Sequence, residues 1–188
     1  MGRYETKGRK KRMNIYLIGF MGCGKSEVGR CLERDFGQKL VEMDEAIEKQ
    51  NGMAIAEIFR VQGEEAFRKM ETDFLKELRF REKLVVSCGG GVPMRECNVR
   101  EMRAGGRIVL LTASPHTVYQ RVHKTRNRPL LEGRMTVEGI GALMEERRER
   151  YEKAADIRIA TDDKTPAEIA AEIMENLGEP QRKTCDFG

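Results

Sequence analysis

Apolar residues follow two rhythms along this chain. Short runs rich in Ile, Leu and Val occur at residues 15–18, 39–44, 84–88, 107–111 and 157–160, the second closing in acidic residues. Their length and weak polar alternation predict strands buried in a parallel sheet. Between them apolar positions return every three to four residues, the period of one helix face. That pattern predicts helices over about 27–36, 45–50, 55–61, 63–81, 96–103, 115–123, 137–154 and 166–177. Ser114-Pro115 and Thr165-Pro166 each set a capping hydroxyl before a proline at the first helical position. Strands alternating with helices give the α/β class: a five-stranded, mostly parallel, doubly wound sheet flanked by helices. Residues 124–134 keep neither rhythm; rich in Arg and Gly and holding Pro129, they predict a mobile basic loop. The expected organisation is one domain over residues 13–178, a basic arm at 1–12 and a tail at 179–188.

The first strand runs into Gly19-Phe20-Met21-Gly22-Cys23-Gly24-Lys25-Ser26, which fits G-x-x-x-x-G-K-[ST] at every fixed position. In the helix that follows, Val28, Cys31, Leu32 and Phe36 share one face. Strand, glycine-rich turn and helix are the setting in which this motif cradles phosphate on backbone N–H groups. Lys25 would reach the β- and γ-phosphates and Ser26 would ligate Mg²⁺. The plainer alternative is an ordinary glycine-rich turn.

Composition narrows the setting. Of 188 residues, 35% are charged and 39% hydrophobic, with no Trp, which suits an α/β protein with charged helix surfaces. Apolar runs are far too short to span a bilayer and the charged start lacks a signal core, so a cytoplasmic location is expected. The net charge of +4 owes much to Lys7, Arg9, Lys10, Lys11 and Arg12, an arm that reads either as a solvated tail or as a tether. Five scattered cysteines, with no CxxC spacing, predict reduced thiols. His116 and His123 offer no metal spacing and read as helix-surface residues.

Ligands in such sheets bind beyond the carboxyl ends of the strands, which gathers residues 19–26, Glu42 with Asp44, and Gly89-Gly90-Gly91. Asp44 is placed to accept a proton from an acceptor hydroxyl, or else to cap a helix. Gly89-Gly90-Gly91 permits close backbone approach, or else is a flexible turn. Arg128 in the basic loop is a candidate to close over a transferring phosphate.

The order GFMGCGKS, Glu42-Met43-Asp44, Phe67-Arg68, Gly89-Gly90-Gly91, Arg128-Pro129-Leu130-Leu131, and Arg147 with Tyr151 resembles the shikimate kinase family across nearly the whole domain. The resemblance implies a three-layer P-loop kinase fold with a mobile lid over about residues 123–134. It implies Mg²⁺-dependent transfer of the ATP γ-phosphate to the 3-hydroxyl of shikimate, a step toward chorismate and the aromatic amino acids. Small-molecule kinases of this size need no partner, so a monomer without nucleic-acid or membrane partners is expected. It assigns Asp44 as base, with Lys25 and Arg128 also catalytic. Asp44, Arg68, Gly89, Gly90, Gly91 and Arg147 would contact shikimate, with Phe67 packed against its ring and Glu71 holding Arg68. Gly22, Cys23, Gly24, Lys25, Ser26, Glu27, Arg121, Arg128 and Pro166 would surround ATP, and Ser26 with Glu42, through water, the metal.

Two positions depart from the family pattern. Glu42 stands where the family has Asp, one methylene longer, which bears on metal geometry. Cys23 places a thiol in the phosphate loop, either as an oxidation-prone group or as a small residue that fits the turn. Two rival functions remain: another P-loop small-molecule kinase, and a non-catalytic nucleotide-binding regulator.

Overall fold

A computed structural model describes residues 13–123 and 135–178. The arm 1–12, the tail 179–188 and the loop 124–134, which holds Arg128 and most of the expected lid, lie outside the described residues. Strands β1 (Asn14–Ile18), β2 (Lys39–Glu42), β3 (Leu84–Ser87), β4 (Gly106–Thr112) and β5 (Ile157–Ala160) form one sheet in the order β2-β3-β1-β4-β5. All its pairings are parallel, so the expectation of a mostly parallel sheet becomes an entirely parallel one among the described residues. Helices α1 (Lys25–Phe36), α2 (Met43–Asn51), α3 (Ile55–Gln62), α4 (Glu64–Leu78), α5 (Glu96–Gly105), α6 (Pro115–Val122), α7 (Val137–Ala154) and α8 (Pro166–Asn176) connect and cover the strands.

The pleat divides the core into two layers. Ile15, Leu17, Val109, Leu111 and Ile159 face α1, α6 and α8. Tyr16, Ile18, Val86, Ile108 and Leu110 face α2, α4 and α5. Successive side chains of a strand point to opposite faces, so the unbroken apolar runs serve both layers. Central β1 is buried at every position. Its Asn14 is buried too, and satisfied: Nδ2 donates to Leu78 O (3.1 Å) and Arg81 O (3.0 Å), and Oδ1 accepts from Leu84 N (3.0 Å). That one side chain fixes the passage from α4 into β3.

Helix ends follow the sequence signals. Thr117 N donates to Ser114 Oγ at the start of α6, and Thr165 with Glu168 forms a reciprocal capping box on α8. The second strand is shorter than its apolar reading. It ends at Glu42, and α2 begins at Met43, because Met43 is fully buried and Glu42 already has the extended backbone of an N-cap residue (φ −80°, ψ 108°). Asp44 therefore sits inside the first turn of α2, and the capping alternative for it is removed. Among the described residues no helix is long and apolar enough to cross a membrane.

Candidate active site

The chain reverses direction across the sheet on either side of β1, and the cleft lies at that switch point, beyond the carboxyl ends of β1, β2 and β3. A cavity of about 570 Å³ there is lined by Gly22, Gly24, Lys25, Ser26, Glu27, Glu42, Asp44, Gly89 and Arg121, among others. The phosphate loop owes its shape to glycine. Gly22 (φ +78°) and Gly24 (φ +96°) occupy left-handed backbone that other residues rarely adopt. Lys25 Nζ donates to Gly19 O (2.9 Å) and Phe20 O (3.2 Å), which holds the ammonium over the loop. Arg121 ties the same loop to the end of β5, donating to Gly22 O, Thr161 Oγ1 and Thr161 O, each at 3.2 Å. Sequence patterns gave no hint of the buried Thr161 anchor.

Cys23 is 1% exposed, with Sγ 3.9 Å from Lys25 Nζ, and fills the space beneath the loop rather than lining the cleft. Glu27 lines the cleft while its carboxylate pairs with Arg30. Pro166 starts α8 on the exposed edge and is not among the cleft residues.

Gly89-Gly90-Gly91 forms an ordered turn. Val92 N bonds Gly89 O and Met94 N bonds Gly91 O, both at 3.1 Å, and the buried Asn98 donates to Val92 O (3.0 Å) while accepting from Thr72 on α4 (2.7 Å). None of the three glycines needs positive φ. At Gly89 and Gly91 a side chain would crowd what lies against it, while at Gly90 it would make only ordinary contacts. A Cβ on Gly89 would meet Asp44 Oδ1 at 2.8 Å and Glu71 Oε1 at 3.5 Å. On Gly90 it would meet Arg147 Nη1 and Tyr151 Oη, both at 3.5 Å, and on Gly91 the Arg68 guanidinium at 2.5 Å. The flexible-turn alternative therefore gives way to close packing of site side chains on bare backbone.

Beyond this turn Arg68, Gly91 and Arg147 line a second cavity of about 490 Å³. Arg68 Nη1 reaches both oxygens of Glu71, at 3.0 and 2.9 Å, and its outer nitrogens reach Glu64. Glu71 is 1% exposed; burial raises its carboxyl above the ordinary value, opposed by the Arg68 hydrogen bonds. Arg147 lies over the Phe20 ring at 5.9 Å, and Tyr151 donates to Gly90 O at 2.8 Å. Burial pushes the Tyr151 hydroxyl up to about 12, so it is a neutral donor across the working pH range. Phe67 is not at the cavity: at 4% exposed it packs in the core against Phe59, supporting Arg68 from behind.

Asp44 is reachable by solvent at the cleft floor, yet partial burial raises its carboxyl above the ordinary aspartate value; Lys25 opposes the rise and Glu42 adds to it. Glu42 Oε1 is buried and has no hydrogen-bond partner among the described residues. Among the same residues no group of three or more His, Cys, Asp or Glu side chains could hold a metal.

The shikimate kinase family model matches residues 21–178, from the phosphate loop through α8. The chain belongs to the shikimate kinase family. It is 41% identical over 161 residues to a shikimate kinase of Thermodesulfovibrio yellowstonii, covering 86% of this chain and 92% of the relative. With a shikimate kinase of a Sulfurihydrogenibium species it shares 42% identity over 164 residues, 87% of this chain and 97% of the relative. In three dimensions it resembles the Acinetobacter baumannii shikimate kinase solved in complex with shikimate, with a TM-score of 0.80, 33% identity, and 88% and 93% of the two chains covered. The Aquifex aeolicus shikimate kinase gives a TM-score of 0.75 at 38% identity, covering 88% of this chain and 96% of that one. The three-layer P-loop kinase fold is thus that of the family.

Proposed function

We propose that this protein transfers the γ-phosphoryl group of ATP to the 3-hydroxyl of shikimate, giving shikimate 3-phosphate and ADP. One observation carries the reading. Asp44 lies against Gly89, Arg147 against Gly90 and Arg68 against Gly91, so a carboxylate and two guanidiniums share one short wall. A small ring bearing a carboxylate and a hydroxyl spans such a wall. Arg68 and Arg147 take the carboxylate, a group that guanidiniums bind in defined geometry. The hydroxyl then faces Asp44, between it and the phosphate loop.

The reaction follows from these positions. Asp44 accepts the hydroxyl proton as the oxygen bonds to the γ-phosphorus, and the bond from that phosphorus to the β,γ-bridging oxygen breaks, releasing ADP. Lys25 moves from its loop carbonyls onto the phosphates and balances their charge there. Gly22, Cys23, Gly24, Ser26 and Glu27 surround the phosphates with backbone and hydroxyl groups, Arg121 and Pro166 border the base, and Arg128 completes the cationic set by resemblance to the family.

The residues fit Mg²⁺. The unpartnered buried Oε1 of Glu42 shares the cleft with the Ser26 hydroxyl, an oxygen donor set that suits a hard cation keeping several waters. Ser26 would hold it directly and Glu42 through water; when bound it neutralises developing phosphate charge. The catalytic unit is residues 13–178, acting as a cytoplasmic monomer with no membrane or nucleic-acid partner.

The test is coupled ADP release with Mg-ATP and shikimate, quinate, gluconate or no acceptor. Turnover with shikimate alone is expected. Turnover with gluconate instead would assign another small-molecule kinase, and tight ATP binding without turnover on any acceptor would assign a nucleotide-binding regulator.

A further inference from the structure

The acceptor cavity does not end at Arg68 and Arg147. Glu64, Glu65, Arg95 and Arg150 line its outer part. Arg150 is three residues beyond Arg147 on α7, so the two guanidiniums rise from one helix face. Arg150 Nη1 donates to Met94 O at 2.9 Å, in the turn that follows the three glycines. That acceptor is neutral, so the bond orients the guanidinium without cancelling its charge. Arg150 is exposed, at the mouth of the cavity.

The four arginines are not equally compensated. Arg68 is paired with Glu64 and the buried Glu71, and Arg95 with Glu65. The Glu64 and Glu65 side chains are 66% and 81% exposed, and ion pairs of that kind are weak and easily exchanged. Arg147 and Arg150 form no ion pair among the described residues; the Glu149 carboxylate next to Arg150 is paired with Lys153 and feels the Arg150 charge only secondarily. The cavity therefore carries one free guanidinium in its interior and one at its mouth. A single acceptor carboxylate on Arg68 and Arg147 satisfies the inner one and leaves the outer one unused.

We propose that Arg150, assisted by Arg95, is an electrostatic capture site that draws the anionic acceptor into the cavity and hands its carboxylate on to Arg147 and Arg68. This inference rests on the shikimate kinase reading above. It assigns Arg150 a part in arrival and not in chemistry. The guanidiniums of this cavity outnumber the carboxylates that line it; such an excess raises the local concentration of a counter-charged ligand, and a rim charge acts on arrival rate and salt dependence. Shikimate has one negative charge and no other strong anchor, so its arrival is sensitive to such a field.

The test compares wild type with Arg150→Gln, Arg150→Glu and Arg150→Lys, at saturating Mg-ATP and varied shikimate, in low salt and at about 0.5 M salt, where the Debye length shrinks to only a few ångströms. In low salt kcat/KM for shikimate should fall about threefold for Gln and about tenfold or more for Glu, with Lys near wild type. The differences should collapse at high salt, and the loss should fall on kcat/KM and not on kcat. An equal loss at both salt concentrations, or one that Lys does not rescue, would make Arg150 a structural prop for Met94 and overturn the proposal. So would kcat/KM unchanged in all three variants. If wild type fails to turn over shikimate, the functional reading itself is lost; if wild type turns over and only the salt signature is missing, this inference alone is lost.

Discussion

Tyr151 donates its hydroxyl hydrogen to Gly90 O at 2.8 Å, binding the helix that carries Arg147 to the loop that Arg147 faces. Acceptor geometry is thus set by a contact between residues sixty-one positions apart. Tyr151→Phe removes the donor and leaves a partly buried carbonyl without it. Chemical unfolding should show a loss of about 1 kcal/mol. The KM for shikimate should rise several-fold as Arg147 and the loop lose registry, while ATP affinity stays near wild type.

The neighbouring glycines separate two functions. In Gly89→Ala the new methyl meets Asp44 Oδ1 at 2.8 Å, and in Gly91→Ala it meets the Arg68 guanidinium at 2.5 Å. Both variants force a side chain aside, but different ones. Gly89→Ala should lower kcat by about a hundredfold by displacing the base, since misplacement by about 1 Å has effects of that size. Gly91→Ala should mainly raise the shikimate KM. Steady-state kinetics of the pair would expose a wrong assignment if both moved the same constant.

On the proposed mechanism Asp44 sets the acid limb of activity. Burial raises its carboxyl, so it takes up a proton at a higher pH than an ordinary aspartate does. The catalytic form is the carboxylate, present above that raised pKa and lost as pH falls through it. The kcat profile should fall about tenfold per pH unit on the acid side, with its bend above the ordinary aspartate value of about 3.9. Asp44→Asn should lower kcat by about 10² to 10⁴ and abolish the bend. A bend that survives in the variant would belong to another group.

Glu71 trades stability for position. Its folded-state carboxyl is raised by burial, so its contribution to stability is fully present below the unfolded pKa and is lost as pH rises through the folded one. Glu71→Gln lacks this dependence. Urea titrations at pH 5 and pH 8 should therefore show the variant gaining on wild type as pH rises. Arg68 retains Glu64 but loses its inner partner, and the shikimate KM should rise about tenfold.

Glu42→Gln probes the metal. Its Oε1 lies buried and unpartnered, and removing the charge while keeping the shape should raise the Mg²⁺ concentration for half-maximal activity several-fold. Folding stability should stay the same or improve, because a buried charge is removed. An unchanged Mg²⁺ titration would take Glu42 out of the metal site.

How much of this was legible beforehand depends on the range of the interactions involved. The phosphate loop was readable because its chemistry is local: consecutive backbone N–H groups, two left-handed glycines and the adjacent Lys25 and Ser26 act within one turn. The strand runs were readable because burial on both faces leaves an unbroken apolar signature, and the caps at Ser114 and Thr165 because a hydroxyl and a proline act on the next turn. The second strand was overextended by two residues because Met43 looks the same in a buried strand as in a buried first helical turn.

The sequence by itself thus determined the class of fold, the phosphate site and the family to which the chain belongs. Only the tertiary structure decided that Gly89 and Gly91 leave no room for a side chain against Asp44 and Arg68, that Tyr151 anchors the loop, that Thr161 holds Arg121, and that Arg150 is left without an ion pair at the cavity mouth. Those four facts have one physical cause. Each is a contact between elements far apart in the chain, so its distance and its charge balance exist only after the sheet has brought α4, α7 and the ends of β3 and β5 together.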